Sequence, residues 1–326
     1  MRSFFTVVFL LIVIAAGWLA YGLLMPMNPG GERFIMLRPG SSSRHIAAEL
    51  KRQGIIRSYY AFLALHAVKV KTLKAGEYRF DHPANAFEVY GRVARGDIYF
   101  HTVVIPEGYN IYDIAAAMET AGLGTREALL EAARADRTLV ADIDINAPSL
   151  EGYLFPDTYE FTRTQSINDM IATMVRRFRQ EAHALGLTAD FHRIVTMASI
   201  VEKETAVTEE RPLVASVFYN RLDRNIVLAT DPAVIYAALL AGRYSGVIHQ
   251  SDLQFDSPYN TYRRAGLPPG PICNPGAQAL TAAMHPAKTD YLYFVSDNAG
   301  HHRFSRTMEE HQHNVALYRH SIAQQR

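Results

Sequence analysis

The chain has 326 residues, with 33 Lys and Arg against 32 Asp and Glu, a net charge of +1 and 49% apolar side chains. That length allows two or three domains, and the even charge balance excludes bulk attraction to nucleic acid. The lone cysteine, Cys273, excludes a disulfide framework and a multi-cysteine metal site.

The first predicted element is the uncharged apolar run from Phe4 to Met25, long enough to cross a hydrocarbon core as a helix. Arg2 and the terminal amine precede it, and Trp18 and Tyr21 lie near its far end, where amphipathic rings favour the interface. No A-x-A site closes it, so it reads as an uncleaved anchor rather than a signal peptide. The charge bias puts the N-terminus in the cytoplasm and the remainder outside. Pro26 to Gly31 reads as a short exit linker.

Residues 34–123 contain a degenerate repeat. Gly40 aligns with Gly108, Ile46 with Ile114, Ala47 with Ala115, Leu50 with Met118 and Gly54 with Gly122. Each copy predicts a short strand, a glycine turn, a helix with apolar i, i+4 positions and a glycine stop. Between the copies, Ser58 caps a helix over 59–68, followed by a strand over 76–80 and a helix over 86–94. These small units resemble LysM-type glycan-binding modules; a structural α+β spacer is the alternative.

A helix is predicted over 125–135. LEGYLFPDTYEF, from Leu150 to Phe161, then mixes aromatics, acids, Gly and Pro without helical period. Glu151 is a candidate acid and Tyr153 a candidate aromatic platform. Ser166 opens a helix over 167–185. In the next helix, Phe191, Ile194, Val195, Ala198 and Val201 mark one buried face, and Glu202 starts near that face. A carboxylate there resists ionisation, as a general acid near neutral pH requires. Glu204, two residues on, points about 200° around the helix.

Thr208 caps a helix through Leu222, with Asn220 near its end, and Asp231 caps another with Pro232 at its first position. Residues 249–276 form a long polar, proline-stiffened connection, and loops of this length are usually functional. Tyr259, Asn260, Thr261 and Tyr262 offer stacking and hydrogen bonds there. Asn274 caps a helix over 277–284, a hairpin joins 290–295 to 301–304, and Thr307 with Glu310 forms a capping box for the last helix. There is no GxSxG, P-loop or HExxH, and the C-terminal histidines lack ligand spacing, so no metal or cofactor is expected. Ordinary glycosidases need two carboxylates. A lytic transglycosylase, in which the sugar's own C6 hydroxyl attacks C1, needs only one.

The chain resembles the YceG-like family of endolytic murein transglycosylases. The strings that carry the resemblance are PEG at 106–108, LEGYLFPDTY at 150–159, ASIVEKET at 198–205, VASVFYNRL at 214–222, ATDPAVIY at 229–236, YNTY at 259–262, GLPPGPICNPG at 266–276, HPAKTDYLYFV at 285–295 and HHRFSRT at 301–307. It implies an α+β protein: a transmembrane helix and linker over 1–30, a LysM-like region over 31–148, and a mainly helical catalytic domain with a C-terminal hairpin over 149–326. It implies cleavage between N-acetylmuramic acid and N-acetylglucosamine in nascent peptidoglycan strands, leaving 1,6-anhydro ends and terminating elongation. Glu202 is the implied catalytic residue. Glu151, Tyr153, Asn220, Asp231, Tyr259, Asn260, Thr261, Tyr262 and Asn274 are the candidate substrate-binding residues. The implied setting is single-pass in the bacterial inner membrane, with the catalytic part periplasmic and membrane-bound wall synthases as partners. The alternative function is a tethered, non-catalytic peptidoglycan-binding scaffold for those synthases.

Overall fold

The structure is a computed structural model that describes residues 1–324. Its contacts group the chain into two units, one of residues 1–102 and 160–166, the other of the remainder. This division differs from the expected one at residues 30 and 148.

The first unit begins with α1 (Arg2–Leu24), which is exposed along nearly its whole length and is long and apolar enough to cross a membrane. β1 (Arg33–Leu37), α2 (Ser43–Arg52), α3 (Tyr59–Lys69), β2 (Gly76–Phe80) and α4 (Ala86–Arg95) follow. β1 and β2 pair antiparallel, from Arg33 opposite Phe80 to Leu37 opposite Gly76. Period-2 alternation turns Ile35 and Leu37 inward, where they meet Tyr78, Phe80, Leu50 and Phe62 in one core. Ser42, Ser58 and Asn85 each cap a helix by accepting a backbone N–H. The expected exit linker is not free: Met27 exchanges both backbone hydrogen bonds with Ala84. Glu77 is buried, and its carboxylate is matched by His101 Nε2 at 2.7 Å and Arg163 Nη1 at 2.9 Å.

The chain leaves this unit along β3 (His101–Val104) and returns along β4 (Thr158–Phe161), with α5 (Ile111–Thr120) and α6 (Arg126–Ala135) between them. α7 (Ile167–Ala184), α8 (Phe191–Glu204), α9 (Arg211–Asp223), α10 (Asp231–Leu240), α11 (Gln250–Leu253), α12 (Ala277–Met284), β5 (Tyr293–Ser296), β6 (His302–Ser305) and α13 (Met308–Gln324) complete the second unit. β5 and β6 pair antiparallel. α8 is its axis. Val195, Met197, Ala198, Ile200 and Val201 are all fully buried, because α9, α10 and α12 pack around α8. The middle of α8, Val195 to Val201, is buried on every side, and its charged residues are confined to the two ends.

The repeat is real at the level of backbone geometry. Gly40 and Gly108 turn the chain at φ +78° and +79°, and Gly54 and Gly122 stop the helices at +71° and +69°. Only glycine adopts that region freely. The similarity extends further than the sequence suggests. The orders β1–α2–α3–β2 and β3–α5–α6–β4 are alike, and in each the outer strands pair. In the second copy the return to β4 carries LEGYLFPDT.

Candidate active site

α8 ends in two glutamates whose side chains diverge. Glu202 lies on the side of the Gly108 turn and the start of α12. Its Oε1 accepts from Arg211 Nη2 at 2.8 Å and its Oε2 from the Gly276 N–H at 3.0 Å. Arg211 also lies 3.6 Å from Glu107, whose side chain packs so closely on Gly276 that a Cβ there would collide with it. Lys203 closes the turn by donating to the Gly108 carbonyl at 3.3 Å. Burial pushes Glu202 above the usual carboxylate range, against the Gly276 N–H and Arg211, which both favour the ionised form. The guanidinium at 2.8 Å and the Gly276 N–H both stabilise the carboxylate form, so Glu202 is less free to give up a proton than a buried acid with no cation beside it.

Glu204 faces the other way, into a cavity of about 490 Å³ also lined by Asp231, Tyr262, Arg221, Tyr293 and His311. Among the described residues no cation lies within ion-pair distance of it. Desolvation raises its pKa against a hydrogen bond from the Thr230 hydroxyl, and the neighbouring Asp231 carboxylate adds to the rise. Asp231 accepts from the Tyr262 hydroxyl at 2.6 Å. It can do so because it is not the helix cap that the sequence implies: Thr230 occupies that position and Asp231 begins the helix. Arg221 is locked to the wall by bonds to the carbonyls of Leu292 and Leu228, both at 2.7 Å, beneath the Tyr293 ring. The Thr230 hydroxyl lies beside Glu204, and His311 Nδ1 is buried in the cavity wall with no partner among the described residues. A second, smaller recess of about 340 Å³ is lined by both Glu202 and Glu204.

The other candidate residues divide sharply. Asp231 and Tyr262 line the Glu204 cavity, and Tyr262 is 37% exposed. The rest hold the fold. Glu151 is buried and accepts from the Ile111 N–H and Asn274 Nδ2, both at 3.0 Å; burial pushes its pKa up to about 8. The Tyr153 hydroxyl donates to buried Asp144 at 2.5 Å. Asn220 Nδ2 ties down the carbonyls of Thr289 and Tyr291. Asn274 is not a cap: its amide meets Leu154 N–H, the Tyr109 carbonyl and Glu151. Asn260 donates to the carbonyls of Leu253 and Phe255, Thr261 accepts from the Thr230 N–H, and buried Tyr259 packs on Tyr236. The part of the proline-rich connection from Gly270 to Gly276 is therefore core, while Tyr262 to Ala265 stay at the surface. Ile272 N–H donates to Ser199 Oγ, and Pro271 sits where a Cβ on Gly152 would have to be.

Sequence reasoning missed Arg211, Arg221, Tyr293 and His311. His311 comes from α13 and stacks on Tyr293 of β5 at 5.1 Å; no local pattern marks it. His301 and His302, adjacent in sequence, both turn to Glu210, at 3.1 and 2.6 Å.

These features describe a two-unit α+β protein with one membrane-length helix and an acidic, aromatic-walled cleft at the end of a buried helix. The YceG-like family model matches residues 35–317, and the chain belongs to that family. It is 33% identical to an endolytic murein transglycosylase of Bacillus subtilis, over 92% of this chain and 89% of that protein. It is 31% identical to an endolytic murein transglycosylase of Streptococcus pneumoniae over 95% of this chain, which spans 63% of that longer protein. A solved yceG-like protein from Listeria monocytogenes is 32% identical, with a TM-score of 0.56, covering 86% of this chain and 98% of the other.

Proposed function

We propose that this protein is an endolytic murein transglycosylase, cutting peptidoglycan strands between N-acetylmuramic acid and N-acetylglucosamine to leave 1,6-anhydro ends. Glu204 is the acid/base residue of this reading, with Asp231 and Tyr262 in substrate binding. The observation that carries the assignment is the contrast at the end of α8: Glu202 is clamped by Arg211, whereas Glu204 faces the open cavity with no cation paired to it among the described residues. Protonated Glu204 gives its proton to the bridging oxygen as the C1–O bond breaks. The carboxylate left behind takes the proton of the C6 hydroxyl as that oxygen bonds to C1. Proton count is restored and no water is consumed. The Asp231 anion stabilises the positive charge that builds on the ring, the role fixed carboxylates play in sugar chemistry.

Single-pass anchoring by α1 in the inner membrane, with the second unit periplasmic and wall synthases nearby, belongs to the same proposal. The β1–α2–α3–β2 unit supports the LysM-like reading, in which it contacts glycan.

The test is to incubate the full chain with uncrosslinked glycan strands and identify the new ends by mass spectrometry. Wild type yields anhydro ends and Glu204→Gln yields none. Loss with Glu202→Gln and survival with Glu204→Gln would return the acid to Glu202. Reducing ends would mean hydrolysis, and binding without cleavage would mean a scaffold.

A further inference from the structure

We infer that α3 lies in the headgroup layer of the membrane that α1 crosses, so that the first unit rests on the bilayer rather than hanging from a tether. This rests on the anchoring role proposed for α1.

The argument is one of depth. A helix rises 1.5 Å per residue, so roughly 20 residues use up a hydrocarbon core of about 30 Å. Counted from Arg2, the far edge of that core falls near Tyr21 and Gly22. These are the residues that α3 grips. A Cβ on Gly22 would lie 2.8 Å from Ser58 Cβ and 3.0 Å from Ala61 Cβ, so the start of α3 packs against α1 more closely than any side chain at position 22 would allow. Arg57, just before α3, sits 5.2 Å over the Tyr21 ring and donates to the carbonyls of Met25 and Pro26. Leu23 packs into the core of the first unit. Tyr60 reaches Trp18, their rings 6.4 Å apart, a turn deeper still. The Met27–Ala84 bridge removes the slack that would let the unit move away. α3 therefore starts level with the edge of the apolar layer.

Its outward face suits that level. Tyr60 is 69% exposed and Val68 and Val70 are each 79% exposed. With Ala64 and Ala67, Tyr60 and Val68 fall on one stripe at i, i+4, i+7 and i+8. Exposed Lys69 and Lys71 follow. In water such a stripe is an unfavourable exposed apolar patch; in an interface it is the pattern of a helix lying in the headgroup plane, with Tyr at one end and long cationic side chains at the other. The occupant is the bilayer itself, because the stripe continues the lipid-facing surface of α1 through the Trp18–Tyr60 contact.

The experiment uses the full chain in nanodiscs of phosphatidylethanolamine and phosphatidylglycerol. Val68→Cys, and separately Val70→Cys, carry an environment-sensitive fluorophore; the native Cys273 is buried and stays unlabelled. Ile145→Cys, 79% exposed in the second unit, is the control. Lipids with a nitroxide near the headgroup supply the quencher, and Trp18, the only tryptophan, reports on α1. The expected result is strong quenching and a blue shift at residues 68 and 70, with neither at residue 145. Quenched Trp18 with labels at 68 and 70 that behave like the control would overturn the inference and leave the anchor intact. Absence of quenching at Trp18 as well would overturn the anchor too. Shielding that grows with the protein-to-lipid ratio would assign the stripe to a second copy of the chain, and the inference would fail.

Discussion

Glu202 and Glu204 are two residues apart on one helix end, and both are raised by burial. They nonetheless occupy opposite chemical settings. Glu202 has a guanidinium and a backbone N–H directed at it; Glu204 has a second carboxylate nearby and an open cavity. Burial alone thus does not identify a proton donor. What separates the two is the sign of the nearest charge, and that is set by α9 on one side and the start of α10 on the other.

The largest effect that would break this contrast is at Glu204 itself. Glu204→Gln keeps shape and removes the proton, so activity should fall by about 10²–10⁴-fold or more, since general acid/base catalysis contributes that much per transfer. Thermal unfolding should be unchanged. Arg211→Gln should come next. It leaves Glu202 buried without its cation, and breaking such a pair costs about 3–5 kcal/mol. A melting curve should show a large drop, which Glu202→Gln in the same background should partly reverse. If Arg211→Gln melts like wild type, the ion pair is not what distinguishes the two acids.

A smaller, more diagnostic effect is expected at Asp231. Its carboxylate favours protonated Glu204, and the acid form is lost as pH rises through the raised pKa. Asp231→Asn lowers that pKa, so the alkaline limb of the rate profile should move to lower pH. A limb that stays in place would remove Asp231 from the pairing. The smallest effect on activity belongs to Glu151. Its pKa rises on folding from 4.5 to about 8, so the folded state takes up a proton and stability declines between those values. The slope is at most about 1.4 kcal/mol per pH unit. Denaturant titrations of Glu151→Gln should lose that share of the slope across the window, with anhydro ends still produced. Loss of anhydro product without loss of stability would move Glu151 from the fold into the chemistry.

How far these features were legible in the sequence depends on how local their causes are. The glycine turns at 40, 54, 108 and 122 could be read because a positive φ demands glycine wherever the chain lies. The α1 span could be read because length and absence of charge suffice. The divergence of the two glutamates followed from helix geometry, but not which of them met Arg211, since that depends on how α9 packs on α8. The polar loop misled for a related reason. Asn260, Thr261 and Asn274 looked available for a sugar, but all three are buried, where backbone groups must be satisfied from within, and these side chains are used for that.

The three-way contact of Glu77, His101 and Arg163 also bears on the order of events during synthesis. Arg163 lies 86 positions after Glu77. At about 5–20 residues per second, the ribosome delivers it roughly 4–17 seconds later. Until then the Glu77 carboxylate lacks this cation, and enclosing it would be costly. The first unit is therefore expected to stay open while the β3–α5–α6–β4 excursion emerges, and to close only after β4 has brought the chain back. A ribosome stalled with Arg163 still in the exit tunnel should present a nascent first unit that proteases cut readily. Release of the next stretch should make it resistant.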